Sequence, residues 1–295
     1  MKKPTIDAVA ALSNKGLGYR KIADQLNLSE RKVRDMLLEV KKRGQENETI
    51  LIIPDAHADP EESNDRFTWL GKFIAERQPS KVVCLGDFAD MNSLNSFEKG
   101  KKSMEGKRYK LDIDVALDAQ DKLLTPIVNS GLQVPMIMLG GNHENRINRA
   151  CNEDAKLEGT IGMDDLEFEE FGWEFHPYGE VVDIDGIAFT HHFTHGRMDR
   201  PLSTARAILT KKAHNACQGH THLKEIEYAT RGNGEPIFAL IAGCWFQKRV
   251  GYVTKSEQNN WWRGITILTP YTDDNGFKAW DPEFVSMNRI ISKYS

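Results

Sequence analysis

The chain has 295 residues, 40% of them hydrophobic and 28% charged, with a formal net charge of −4. That is the balance of an ordinary folded protein, long enough for one large domain with a small one attached, and it argues against disorder. No window approaches a membrane span and the charged start has no apolar run behind it, so a cytoplasmic location is expected; Cys84, Cys151, Cys217 and Cys244 form no Cys-x-x-Cys pair, which argues against a disulfide framework or a zinc ribbon and predicts reduced, buried thiols.

Charge is unevenly spread. Residues 1–45 hold eleven Lys and Arg against five Asp and Glu, a balance of +6, which leaves −10 for the rest. A basic module on an acidic body hints at nucleic acid. Three short helices are expected in it. Ile6, Val9, Ala10 and Leu12 share a face of the first, which Lys15-Gly16-Leu17-Gly18 breaks. Tyr19 to Leu26 makes the second, and Ser29 can N-cap a third in which Val33, Leu37 and Val40 face inward. The stretch from Tyr19 to Arg34 resembles the helix-turn-helix of bacterial regulators. That resemblance implies a third helix in a DNA major groove, with Ser29, Glu30, Arg31, Lys32 and Arg34 near the bases. The rival reading is a protein-docking module whose basic residues are a solvated face. The polar run from Gly44 to Thr49 reads as a linker, with 1–45 as the module, 46–49 as the connection and 50–295 as the main body.

The body opens with Leu51-Ile52-Ile53-Pro54-Asp55-Ala56-His57, an apolar strand that ends in a carboxylate and an imidazole. Arg66 to Glu76 follows as an amphipathic crossover helix, with Phe67, Leu70, Phe73 and Ile74 at helical spacing. Val82 to Leu85 then runs into Gly86-Asp87, giving a parallel strand–helix–strand unit. The polar stretch Asn92 to Arg108 is expected to be a loop at the mouth of a site; its lysines are a solvated face or a contact to a phosphate-bearing substrate. Val115 to Ile127 is helical. Pro135 to Leu139 is a strand ending in Gly141-Asn142-His143-Glu144, and Val181 to Phe189 is a hairpin turning at Asp185-Gly186, ahead of His191 and His192. Gly219-His220-Thr221-His222 is the last polar cluster, and Ile237 to Ile241 and Gly264 to Leu268 supply further strands. Ligands bind at the carboxyl ends of strands in open α/β sheets, so these strand ends point to one metal site.

Asp55-x-His57, Gly86-Asp87-x-x-Asp90, Gly141-Asn142-His143-Glu144, a strand-end His and Gly219-His220-x-His222 occur in the order and approximate spacing of the calcineurin-like metallophosphoesterases. The resemblance covers roughly residues 50–245, and the Gly140 to Arg146 run is similar to bacteriophage-encoded members. It implies an α/β fold of two mixed β-sheets sandwiched between helices. It further implies two metal ions: Asp55, His57 and His222 on one, Asn142, a strand-end His and His220 on the other, and Asp87 bridging. His143 then stands over the leaving group as general acid, with hydroxide attacking from between the ions. For the strand-end ligand His191 is preferred, directly after its apolar strand, with His195 as the alternative. Asp90 and Glu144 are read as groups that orient ligands, and Arg146 either as a phosphate contact or as a surface arginine.

The chemistry stands beside the resemblance. Mixed carboxylate, amide and imidazole ligands suit borderline divalent ions, Mn²⁺ first, with Fe²⁺, Zn²⁺ or Ni²⁺ as alternatives. A bridging carboxylate holds two ions about 3.5–4 Å apart, and an imidazole can protonate the leaving alkoxide. Neither a Gly-x-Ser-x-Gly elbow nor a Walker-type loop is present. Three functions follow as expectations: a DNA-associated, nuclease-like phosphodiesterase; a phosphomonoesterase, for protein or small molecules, whose helical module docks a partner; or a non-catalytic DNA-binding regulator. Protein phosphatases of this family usually follow the second motif with Arg-Gly where this chain has Met91-Asn92, which lowers the protein-phosphatase reading.

Overall fold

A computed structural model describes residues 6–14, 17–37, 48–196, 200–248 and 255–295. Helices α1 (Ile6–Asn14) and α2 (Tyr19–Leu26) and a helical stretch α3 over 30–37 form around Val9, Ile22, Ala23 and Val33. Between α2 and α3 the chain turns at Asn27, in the left-handed region at φ 51°, and the Ser29 hydroxyl accepts the Lys32 N–H at 3.3 Å. Expectations for Lys15-Gly16, for Val40 and for 44–47 lie outside the described residues, as does the side chain of Ala10.

The body holds two sheets. The first has the order β11 (Lys278–Ser286), β10 (Gly264–Thr272), β1 (Ile50–Ile53), β2 (Lys81–Cys84), β3 (Met136–Leu139), β4 (Trp173–His176). β1 to β4 run parallel, and β10 and β11 are antiparallel additions. The second has the order β5 (Val182–Ile184), β6 (Ile187–Phe189), β7 (Ala216–Gln218), β9 (Pro236–Ala242), β8 (Lys224–Thr230), with β6, β7 and β9 parallel. The expected hairpin is β5–β6. Asp185 at φ 54° and Gly186 at φ 85° give it the two left-handed residues that match strand twist.

Strands buried on both faces read as unbroken apolar runs, and β1 shows why. Ile50 and Ile52 face the second sheet with Val83, Phe189, Leu240 and Leu268. Leu51 and Ile53 face the opposite way, into the layer containing Phe67, Leu70 and Leu123. Each such side chain contributes about 1.5–3 kcal/mol by leaving water. The helical layer there is α4 (Asp65–Arg77), α5 (Tyr109–Asn129) and the terminal α9 (Met287–Tyr294). α4 and α5 approach closely at Gly71, where a Cβ would lie 2.2 Å from the Leu123 carbonyl oxygen. α7 (Ala205–Lys212) covers the outer face of the second sheet. The fold is therefore helix, sheet, sheet, helix, as expected, with α6 (Arg146–Glu153) and a short α8 (Lys255–Asn259) in the connections.

Candidate metal centre

The carboxyl ends of β1, β2, β3 and β7 meet at the floor of one cleft of about 1130 Å³, and His191, after β6, is buried against the lining residues Asn142 and His220. The loops after β1 and β2 are zipped together: Ala56 and His57 N–H donate to the Asp87 carbonyl at 3.0 and 2.8 Å, and Ala58 N–H to Phe88 O at 2.7 Å. His57, Asp87, His220 and His222 all have left-handed backbone, with φ of 43°, 49°, 70° and 61°. Each such residue costs of order 1–3 kcal/mol and persists only where its surroundings over-determine it. Two glycines leave room for the carboxylates. A Cβ on Gly141 would lie 2.1 Å from Asp87 Oδ1, and one on Gly219 2.1 Å from Asp55 Oδ1.

On one side of the floor, His222 Nε2 is 3.1 Å from Asp55 Oδ2, and both Asp55 oxygens accept the His220 N–H at 2.9 Å. His57 Nδ1 lies 3.0 Å from Asp90 Oδ1, while its Nε2 is buried without a partner, 3.8 Å from Asp87 Oδ2. On the other side, His191 Nδ1–H donates to the Leu85 carbonyl at 2.9 Å. That tautomer turns the Nε2 lone pair towards Asn142 Oδ1 at 2.9 Å, His220 Nδ1 at 3.2 Å and Asp87 Oδ2 at 3.4 Å. Lone pairs gathered this closely repel one another unless a cation lies among them. The orphaned His57 Nε2 and the facing His191 and His220 nitrogens thus fit divalent ions, and the N/O donor set is that of borderline metals. Asp55, His57 and His222 form one such group, and Asp55, Asp87 and His191 another.

Electrostatics agree with the crowding. Burial pushes His57 down, but the hydrogen bond to Asp90 and the charges of Asp90, Asp87 and Asp55 overcome it and raise the imidazole to about 9. Asp87 is fully buried, yet His143, His191 and His57 hold it far below the usual carboxylate range. His220 is pushed down to about 4 by burial and by His191. Burial and neighbouring Asp87 raise Glu144 to about 7, against the pull of its backbone donors.

Around these groups sit the other expected residues. Asp90 Oδ1 also lies 2.8 Å from His143 Nδ1. The Glu144 carboxylate accepts the N–H groups of Asp87, Ala89 and Gly141 at 3.0, 2.8 and 2.8 Å, so it orients backbone instead of a ligand histidine. Arg146 is buried, not a surface arginine: it donates to the Asp90 and Met91 carbonyls at 2.7 and 3.3 Å and to His143 Nε2 at 3.0 Å. His195 is exposed, while His191 is in the cluster. His192 stands beside that cluster, its ring 4.7 Å from that of His220, and one nitrogen from each of His191, His192 and His220 lies within 4.8 Å of the others; its Nε2 is also 3.4 Å from the Tyr178 hydroxyl. Cys217 belongs to the inter-sheet core, and all four cysteines are free. The 92–108 segment forms three short 3₁₀ turns, and its Lys101 and Lys107 line the cleft. Ser29, Arg31, Lys32 and Arg34 are exposed on the amino-terminal helices, with Glu30 lying 3.6 Å from Arg34.

Three contributors were not anticipated. Arg66, buried inside α4, donates to the carbonyls of Ala56 and His57 at 3.0 Å and of Trp245 at 3.2 Å, and so fixes the first loop. Lys248 reaches both Asp59 oxygens at 3.0 Å, and Asn92 donates to Asp59 at 2.6 Å and also bonds Asp90. An arginine in the apolar face of a helix was the available signal for Arg66; the Lys248–Asp59 pairing spans the whole body and leaves none.

The family model described as calcineurin-like phosphoesterase matches residues 48–280. The Gene 54 protein of Mycobacterium phage D29 is 27% identical over 226 residues, 72% of this chain and 84% of its own. Its counterpart in Mycobacterium phage L5 is 24% identical over 208 residues, 67% of this chain and 79% of its own. Among solved structures, Vps29 of Chaetomium thermophilum aligns over 81% of this chain and 97% of its own, at 14% identity and a TM-score of 0.31. Among the described residues no helix is long and apolar enough to cross a membrane.

Proposed function

The chain belongs to the calcineurin-like phosphoesterase family and is a metal-dependent phosphoesterase, and on that premise we propose that it hydrolyses phosphodiester bonds in DNA. The observation that carries this reading is the cleft itself. Its floor gathers most of the ligand-type side chains, and its walls add Lys101, Lys107 and Lys248, each beside a carboxylate of Glu98, Glu61 or Asp59, and the half-buried Trp261, groups a nucleotide chain can engage.

Asp55, His57 and His222 would hold one divalent ion and Asn142, His191 and His220 the other, with Asp87 shared; Mn²⁺ is the first choice, ahead of Fe²⁺, Zn²⁺ or Ni²⁺. When bound, such a pair lowers the pKa of a water nucleophile and neutralises phosphate charge. His143 is the general acid. Asp90 takes up Nδ1, so Nε2 is the atom that would protonate the departing alkoxide, once it has parted from the Arg146 guanidinium that stands 3.0 Å from it. Asp90 does the same for His57, so one carboxylate aligns both imidazoles. Ser29, Arg31, Lys32 and Arg34 are exposed on helices read as DNA-binding, and they would bring the cleft to duplex DNA.

The test is parallel hydrolysis of bis-para-nitrophenyl phosphate, para-nitrophenyl phosphate and labelled DNA, after chelation and with Mn²⁺ restored. Metal-dependent cleavage of diester and DNA, abolished in Asp87→Asn, supports the reading. Turnover of the monoester alone replaces it with a phosphomonoesterase whose helices dock a partner, and no turnover at all leaves a DNA-binding regulator.

A further inference from the structure

A second cavity of about 280 Å³ adjoins the metal cleft. Asn95 and Met104 line both spaces, so the 3₁₀ turns form their common wall. Lys99 and Arg149 line the smaller cavity. Phe97 lies between Asn95 and Lys99 in the chain and is 78% exposed. Its position is fixed locally, since the Asn95 side chain accepts the Phe97 N–H at 3.1 Å. None of the apolar cores among the described residues includes it.

Resting on the phosphodiesterase reading above, we propose that this cavity and the exposed Phe97 next to its lining residue Ser96 form the subsite for the nucleotide flanking the scissile phosphate of a single DNA strand, its base on Phe97 outside the cavity and its phosphate between Lys99 and Arg149. Burial of the catalytic floor selects a single strand. Asp87, His57 and His143 are each less than a tenth exposed, so a reacting phosphate must descend to them. In a duplex the phosphates lie on a broad, stiff cylinder and the bases stack on one another, leaving no face for Phe97. A flexible strand supplies both the descending phosphate and an unstacked base. Glu153 and Asp154 also line the cavity. Against Lys99, Arg149 and Arg146, which lines it too, they leave a balance of +1, which suits one bridging phosphate and disfavours a free polyphosphate.

The experiment measures kcat/KM of the full chain with Mn²⁺ on a labelled short single strand, on the same strand in a duplex, and on bis-para-nitrophenyl phosphate. Preference for the single strand is expected, with Phe97→Ala lowering its cleavage about 5- to 100-fold more than that of the small diester. Lys99→Ala with Arg149→Ala is expected to flatten the salt dependence of strand binding by about 1.4 in log–log slope. Equal cleavage of duplex and single strand, or an equal loss on both substrates in Phe97→Ala, overturns the subsite. Turnover of the small diester with neither DNA form cut overturns the DNA reading beneath it. Anisotropy of the labelled strand on chelated protein reads the subsite without turnover, and there too equal affinity of wild type and Phe97→Ala overturns it.

Discussion

The Arg146 guanidinium caps the His143 imidazole: Nη2 stands 3.0 Å from Nε2 while Nη1 donates to the Asp90 carbonyl at 2.7 Å. An imidazole nitrogen that accepts from a guanidinium is unprotonated, and protonating it would set two cations together. Burial first, and the charges of His57 and Arg146 with it, lower the His143 pKa, against the opposite pull of Asp87 and Asp90. Arg146 therefore positions His143 and, while it stands there, disfavours a proton on Nε2.

Arg146→Gln removes one of the cations that depress His143, so the His143 pKa rises. A general acid works while protonated, so the alkaline limb of kcat for DNA moves to higher pH in the variant. A pH profile checks this; an unmoved limb would separate Arg146 from the proton.

His143→Ala should cost about 10²–10⁴-fold on DNA, whose alkoxide leaving group needs a proton. The loss on bis-para-nitrophenyl phosphate should be far smaller, because nitrophenolate departs unaided. Equal losses on the two substrates would rule out the general-acid role.

Gly141→Ala and Gly219→Ala each drive a methyl to 2.1 Å from a carboxylate oxygen, of Asp87 and of Asp55 respectively. Metal affinity should fall in both. Titration with Mn²⁺ followed by thermal unfolding reads this: wild type gains about 2.7 kcal/mol at one hundred times its Kd, and the variants gain less. Undiminished gains would show that the carboxylates tolerate displacement.

Glu144→Gln replaces an acceptor of three N–H groups with a side chain that turns its own NH₂ against one of them. The loss is expected at about 1–3 kcal/mol of stability. Urea denaturation of the chelated protein measures it, and a change under 0.5 kcal/mol would mean that water replaces the carboxylate.

Arg31→Ala with Lys32→Ala, both exposed, should weaken duplex binding and flatten its salt dependence by about 1.8 in log–log slope. An unaltered slope would leave the amino-terminal helices to a protein partner.

Of the strands that carry the site, β1, β2, β3 and β6 were legible because strands buried on both faces are continuous apolar runs, and each ends where a ligand begins; β7, only Ala216–Gln218 and closing on a glutamine, was not read as a strand. β4 and β11 were not. Both are edge strands, so β4 tolerates Glu174 and β11 accommodates Asp281 and Pro282, which break the apolar pattern. α5 begins at Tyr109, six residues before its expected start at Val115, because its first turns face the 3₁₀ wall and read as polar. Asp87 and Asp55 could be placed by motif, but Arg66, Asn92 and Lys248 act through pairings set only by tertiary structure.

Asp55, His57, Asp87 and Asn142 hang from one sheet, and His191, His220 and His222 from the other. Cations held among them, as proposed, would be fasteners across the seam of the sandwich, so that catalysis and mechanical integrity would draw on the same ions. Stripping them should loosen the seam first at its ligand-bearing rim. Amides of β6 and β7 would then exchange with solvent sooner, while those of α4 and α5, braced against the far face, keep their pace.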